Sequence, residues 1–571
     1  MINILAPLKR PSGARGRKPS ARSKLLWDAN YFIVKNRIEI LLVIFALAFG
    51  SWLMFHTFSH DNGHILIAGK AWSDFASHIP LIRSFSLGNN FPPEYPLFPG
   101  EPIRYHFLFY ALVGLLERAG IRIDYALNIP SALSFAALII AIYFFAKFIF
   151  KSRTIGVLSA VFFLFNGSFS FLEFFKTHPP SLNTINDIIL NSTFSSFGPY
   201  DGKIVSAFWN LNIYTNQRHL ALAFTFSIVT LFIFLFIIPK MAGRRKILVS
   251  ISFGIMLGLF FYFHLAVLLM TVVAILLLAI FTRRLKEGLL VLSPFGIVVL
   301  PQYLYLTSEG SGYSALFNPG YLIANTLTFY SFINYWILNL GLHVIFIPLG
   351  LFFAKKQLRL FFFAIFSAFI LGNLFQFSPD IAGNHKFFNF FMLFGVMFTA
   401  FAIHKLWKKI FLRPILGVSI FLLILSGIID FFPVYNDKKI SIADSNKNSA
   451  IAWIIDNTSP DALFLNSSYL YTPASLAGRK IFLGWPYFSW SQGYDTLTRD
   501  NLRKKLFNPE SINYFCKEAI RYNIDYVSIE NITPDIDFVL NQDFFDRNFK
   551  KVYENKTSEK AIYKVAPSCK N

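Results

Sequence analysis

Long unbroken apolar runs, rather than amphipathic stripes, set the rhythm of this chain. A helix needs ~20 apolar residues to cross ~30 Å of hydrocarbon. Runs of about that length recur at 38–56, 128–150, 154–175, 219–239, 247–263, 265–282, 287–306, 333–353, 358–378, 387–404 and 413–432. Residues 247–282 carry no charge apart from one on His264 and are too long for a single span. The break belongs at "YFHL" (262–265), where Tyr262 and His264 reach interfacial water.

After Pro433 the pattern becomes that of a soluble protein. "SAIAWIIDNTSPDALFLNS" (449–467) reads as an amphipathic helix, a turn and a strand. "RKIFLGW" (479–485) and "IDYVSIE" (524–530) read as strands, "TRDNLRKKLF" (498–507) and "INYFCKEAIRY" (512–522) as helices, and "KKVYENKTSEKAIYKV" (550–565) as a hairpin. The predicted fold class is therefore mainly α: a polytopic α-helical membrane protein of about 11–13 spans with a small external C-terminal α/β domain. The expected divisions are a basic cytoplasmic tail (1–37), a multi-span domain (38–433) with an external loop at 57–103, and an external soluble domain (434–571).

Composition supports the class. The 571 residues are 55% hydrophobic and only 15% charged, with 70 Phe, where a soluble protein averages about 25% charged residues. The formal charge of +22 would suit nucleic acid, but its distribution excludes that partner. Lys and Arg cluster in the first 37 residues and in "KMAGRRK" (240–246), "TRRLKE" (282–287), "AKKQLR" (354–359) and "HKLWKK" (404–409). That is the positive-inside pattern of a plasma-membrane protein with a cytoplasmic N-terminus, not a basic stripe on a folded surface. Its alternation puts 176–218, His264, 307–330, 378–386 and everything after 433 outside. The stretch 104–153 stays unresolved: "RYHFLFYALVGLLERAG" is short for a span, yet Lys147, Lys151 and Arg153 look cytoplasmic. Cys516 and Cys569 have no metal-site spacing, and the sequence leaves open whether they pair.

Candidate chemistry gathers on the predicted external side. In "SDFASHIPLIRSFSLGNNFPPEYPLFPGEPIRYHF" (73–107), Asp74 and His78 share one helical face. The carboxylate is the candidate proton acceptor or metal ligand, and the histidine orients it or holds an anion. The plainer reading is the wet face of a helix lying on the membrane. Glu101 sits in a proline-braced wall, and Arg104, Tyr105 and His106 open the next apolar segment. A second cluster is Asn216, Gln217, Arg218 and His219; a third is Asn384, His385 and Lys386. Cations on the side where cations are sparse point to an anionic substrate, such as a phosphate leaving group. No GxGxxG or P-loop offers a seat for a nucleotide donor.

This layout resembles the GT-C superfamily of membrane glycosyltransferases, in which a carboxylate lies in the first external loop; Asp74 in "SDFASH" matches that position. More closely, "PPEYPLFPGEPIRYHF", "NHKFF" (384–388) and "GRKIFLGWPY" (478–487) resemble segments of the YYY-type membrane proteins related to that superfamily. The resemblance implies a hexosyl- or pentosyltransferase moving a sugar from a polyprenyl-phosphate donor to a glycan, lipid or protein acceptor, with inversion, among membrane lipids. It leaves a divalent cation open, with Asp74 as the ligand if there is one. There are departures: Tyr105-His106-Phe107 replaces a run of tyrosines, "NQRHLA" holds one histidine, and Phe75 follows Asp74. Two other classes compete. A lipid-linked substrate transporter or flippase wants ionisable groups at mid-bilayer and an inverted repeat, and neither is apparent. A membrane scaffold with an external recognition domain explains the tail but not the loop.

Overall fold

The computed structural model describes residues 35–165, 167–196, 203–307, 315–323, 326–530, 538–555 and 560–569; most of the predicted basic tail lies outside them. Among the described residues, seven helices are long and apolar enough to cross a membrane: Arg37–Thr57, Ile123–Phe150, Leu220–Lys240, Leu285–Thr307, Lys356–Leu374, Ile381–Leu406 and Ile410–Tyr435. The pair Phe329–Leu340 and His343–Phe353, bent by 86°, makes an eighth if taken as one span. The bend follows from Gly341, whose φ is +53° and whose added Cβ would lie 2.0 Å from the Gly167 carbonyl oxygen. The other apolar runs form shorter helices, Arg153–Leu164, Gly243–Leu259 and Leu265–Phe281, which is why the count falls below the expected 11–13. The break at "YFHL" is as expected. The preceding helix ends at Leu259, and His264 caps the next, its Nδ1 accepting from the Val267 N–H at 3.4 Å.

The unresolved stretch has a simple geometry. Leu108–Arg118 is 11 residues, about 16 Å of helix, half a membrane thickness. At the far end of Ile123–Phe150, Lys147 Nζ and Arg153 Nε lie 2.6 and 2.9 Å from Glu39 Oε1, and the Tyr143 hydroxyl donates to the same oxygen. Those cations therefore sit beside the start of the first span, and residues 58–122 all lie at its other end. Ring contacts Phe148–Phe236, Phe145–Phe361 and Phe150–Phe401 bring the neighbourhoods of Lys240, Lys356 and Lys405 to the Glu39 end. One end of the bundle is thus the basic one.

At the opposite end, Phe58–Asp61, His64–Ala68 and Lys439–Ala443 form a three-stranded antiparallel sheet, with Ile65 opposite Ile442. The first loop and the start of the C-terminal region thus share backbone hydrogen bonds. Beyond them lies a five-stranded mixed sheet in the order Lys480–Ile481, Leu463–Asn466, Tyr526–Ile529, Lys560–Lys564, Lys550–Asn555. Its first three strands are parallel and the remaining pairs antiparallel. Cys516 and Cys569 are disulfide-bonded beside it.

A buried ion network locks the two regions. Arg83 Nη2 lies 2.8 Å from Asp444 Oδ2 and Arg83 Nε 3.0 Å from Glu117 Oε1. Removing one member of such a network strands its partners without water, so it specifies this docking strongly. Gly478 makes the close approach possible: at φ +76°, its added Cβ would sit 2.4 Å from the Arg83 carbonyl oxygen.

Candidate functional site

Asp74 lies in the first turn of the Trp72–Ser86 helix, where a carboxylate is favoured by the helix dipole. The turn before it is pinned by Lys70, whose backbone N–H and ammonium donate to Asp437 at 2.8 and 3.2 Å. The Tyr471 hydroxyl donates to the Trp72 carbonyl and its ring packs on Trp72 at 4.2 Å. The Asp74 side chain is partly buried, hydrogen-bonded to the Asn216 side chain and within reach of the Lys386 charge. Burial pushes its carboxyl up to about 6, while the Lys386 ammonium and the Asn216 amide pull the other way. Asn216 is itself held, its Nδ2 donating to the Lys70 carbonyl at 3.1 Å.

Lys386 is the second residue of the His385–Leu406 helix; it forms no ion pair among the described residues. Its neighbour His385 is buried and stacked on Phe208 at 4.9 Å. The His385 Nε2 is 3.3 Å from Gln217 Nε2, and its Nδ1 is 3.3 Å from Asn389 Nδ2. Asp74, Asn216, Gln217, His385 and Lys386, drawn from three distant stretches, thus meet at the end of the bundle that carries the C-terminal region.

His78, one turn on from Asp74, is almost fully buried, stacked on Tyr110 at 4.4 Å and edge-on to His219 at 6.5 Å. Burial, then the Arg218 charge, push its imidazole down to about 3. It is therefore neutral and offers no charge to an anion. Tyr105 is partly buried, its ring 4.7 Å from that of His106 and 5.6 Å from that of His219.

Four other sequence candidates are occupied elsewhere. Arg218 is 1% exposed, and its guanidinium donates to the Thr215 carbonyl (2.7 Å), Thr57 Oγ1 (2.8 Å), Asn128 Oδ1 (3.3 Å) and Met54. It bolts the first spans together, and its donors are spent on the fold rather than offered to the anionic substrate that the sequence suggests. Arg104 pairs with Glu101, donates to the Gly493 carbonyl and lies over the Tyr494 ring at 4.5 Å. Those two residues clasp the C-terminal region rather than line the Asp74 face. Asn384 donates to the Gly372 and Phe375 carbonyls at 3.0 and 2.6 Å, tying the helix start in place.

His106, His219 and His264 form a second cluster beside the first. One ring nitrogen from each lies within 4.8 Å of the others, and it is the only group of three His, Cys, Asp or Glu so placed among the described residues. The grouping leaves Asp74 out. The sequence reading missed His264 as a site residue and assigned it to the interface. Its signal was its isolation, one imidazole in an otherwise uncharged stretch, together with its place just before a helix start. A cavity of about 60 Å³ lies behind His385, lined by Phe208, Asn339, His343 and Asn389 among others. That is room for a few waters at most, not for a sugar or a lipid chain.

No family model and no curated protein matches the chain, so the YYY-type likeness rests on its motifs alone. Among solved structures, the chain is similar to the Archaeoglobus fulgidus oligosaccharyltransferase in complex with Zn and sulfate, at 13% identity and a TM-score of 0.46, over 85% of this chain and 68% of that one. It is also similar to the same enzyme tethered to an acceptor peptide, at 12% identity and a TM-score of 0.47, over 87% and 70%. A third structure, that protein with an inhibitory peptide and a dolichol-phosphate, gives 11% identity and a TM-score of 0.44, over 87% and 70%. A likeness of this degree carries nothing about mechanism or substrate.

Proposed function

We propose that this protein is a GT-C-type membrane glycosyltransferase that moves a sugar from a polyprenyl-phosphate donor to an acceptor hydroxyl on the outer side of the membrane. The observation that carries the reading is that Asp74 and Lys386, one acid and one cation, lie near enough for each to feel the other's charge, at the end of the bundle away from the basic loops. A carboxyl near 6 is ionised at neutral pH yet basic enough to take a hydroxyl proton, the match that general-base catalysis needs. The acceptor oxygen bonds to the anomeric carbon, the bond from that carbon to the phosphate oxygen breaks, and Asp74 takes the hydroxyl proton. Lys386 stabilises the charge gathering on the departing phosphate. Asn216 and Gln217 orient the sugar, and Glu101, Arg104 and the proline-braced segment act at one remove, by holding the C-terminal region against the loop.

The disulfide between Cys516 and Cys569 supports an outward-facing C-terminal region, since disulfides persist in oxidising compartments. The deciding experiment reconstitutes the protein in vesicles with radiolabelled polyprenyl-phosphate sugars and a membrane extract as acceptor. Label leaving the lipid in the wild type but not in Asp74→Asn supports transfer. Donor that crosses the bilayer intact, with label still on the lipid, overturns it in favour of a flippase.

A further inference from the structure

We propose that His106, His219 and His264 form a binding site for a transition-metal dication, zinc foremost, with three protein ligands and one open position. This inference goes beyond the transfer reaction and does not depend on it.

The three imidazoles come from separate elements: His106 from the loop before Leu108–Arg118, His219 from the turn before Leu220–Phe232, and His264 from the break before Leu265–Phe281. Their ring centroids are 3.8 Å apart for His106–His264, 5.0 Å for His106–His219 and 5.1 Å for His219–His264. Two of the rings present nitrogens with nothing to bond. His219 Nε2 and His264 Nε2 are both buried and without a hydrogen-bond partner, in residues that are 1% and 0% exposed. An orphaned buried polar atom is costly, and two on neighbouring rings of one cluster call for a shared occupant.

The other side of each ring explains its pose. His219 Nδ1 is 3.0 Å from the Tyr110 hydroxyl; donating to that oxygen leaves Nε2 as the lone pair, the outer-contact arrangement that orients metal-bound histidines. His264 is fixed by its long 3.4 Å capping contact through Nδ1. Coordination through Nε2 moves the imidazole proton to Nδ1 and gives up that contact, a small loss against a metal–nitrogen bond.

Donor chemistry selects the metal. Imidazole nitrogens suit zinc and its transition-series neighbours, whereas magnesium and calcium want oxygen. Three ligands with a vacant fourth place is the pattern of a reactive zinc rather than a structural one. Zinc–nitrogen bonds of about 2.0–2.1 Å require the ligand atoms to draw closer than 4.8 Å, so the His106 and His264 rings, stacked at an interplanar angle of 22°, must turn and part as the metal enters. The Lys386 charge reaches the same cluster and opposes a dication, while that of Asp74 reaches Lys386 and offsets it.

The test uses the full chain purified in detergent, stripped with a chelator and then titrated with Co²⁺ and with Zn²⁺. The expected result is one metal per chain by elemental analysis, with the visible absorption of a low-coordinate Co²⁺ that Zn²⁺ displaces. His106→Ala, His219→Ala and His264→Ala should each weaken binding about 10²-fold or more, while His78→Gln keeps the metal. His106 is partly exposed, so its variant decides the matter where the two buried ones fail to fold. Wild-type uptake equal to that of His106→Ala, or equal loss in His78→Gln, overturns the site.

Discussion

Replacing Asp74 with Asn should make the protein more stable and nearly inactive at once. The substitution keeps the shape and one acceptor of the side chain but removes the charge. The Asp74 carboxyl moves from 3.8 to about 6 on folding, and a shift of that size costs ~3 kcal/mol whenever the group is ionised. Partial exposure reduces this, so ~1–3 kcal/mol is the expected gain in Asp74→Asn at pH 7. The sign follows from which state binds the proton more tightly. The folded state does, so the penalty is complete above about pH 6, shrinks as pH falls, and vanishes below about pH 4, where both states are protonated. Melting of the two proteins in detergent should therefore differ by about 1–3 °C at pH 7, with the variant higher, and the gap should close by pH 4. Turnover should fall about 10²-fold or more, and wild-type turnover should rise with pH through about 6. The reasoning fails if the variant melts lower at pH 7, if the gap does not depend on pH, or if transfer continues at a near-normal rate.

Three further outcomes follow from the same geometry. Lys386→Met should weaken binding of a polyprenyl-phosphate sugar by about 1–3 kcal/mol, measured by competition with labelled donor; unchanged affinity in folded protein removes Lys386 from the phosphate side. Arg218→Met should leave donor affinity alone yet lower stability by about 2–4 kcal/mol, because it strands buried acceptors on Thr215, Asn128 and Thr57; a lost affinity with unchanged melting would return Arg218 to the anion wall. Cysteine placed at the exposed Leu497 should react with a membrane-impermeant thiol reagent in intact cells, and cysteine at the exposed Arg244 should not; the native pair is already bonded. Labelling at Arg244 alone would reverse the sides.

The membrane class and the tail's strands were legible because each follows from local pattern. Apolar runs near membrane length and period-two strands do not depend on distant neighbours, and the expected hairpin at 550–565 is the antiparallel pair Lys550–Asn555 and Lys560–Lys564. The span count was less legible, because composition cannot see where a helix stops. Gly341 bends one apolar run by 86°, and the run from 154 ends as helix at Leu164. Positive-inside reasoning found the basic end of the bundle. It stalled at Lys147 and Arg153 only because their partner, Glu39, lies over a hundred residues away in the chain.

For the site, residue type was a good guide to location and a poor guide to role. Arg218 and Lys386 look equivalent in sequence, each a cation beside a histidine at the start of an apolar helix. What separates them is whether the fold supplies acceptors: Arg218 points inward to two carbonyls, an amide and a hydroxyl, and the structure consumes it. Lys386 forms no ion pair among the described residues, though the charges of Asp74 and Asp380 both reach it, and it keeps its charge available. Histidines divide in the same way. His78, His219 and His264 each bury one nitrogen that nothing in the fold satisfies, but His78 stands outside the three-ring group, its ring stacked on Tyr110 and 6.5 Å from that of His219. Whether a buried polar atom has a partner depends on tertiary neighbours alone, so it is the one property of these residues that no spacing or composition encodes. Each stranded atom is opposed by about 1–3 kcal/mol, and it is their convergence from two rings of one three-histidine group, rather than a single orphan, that marks a place left for a ligand.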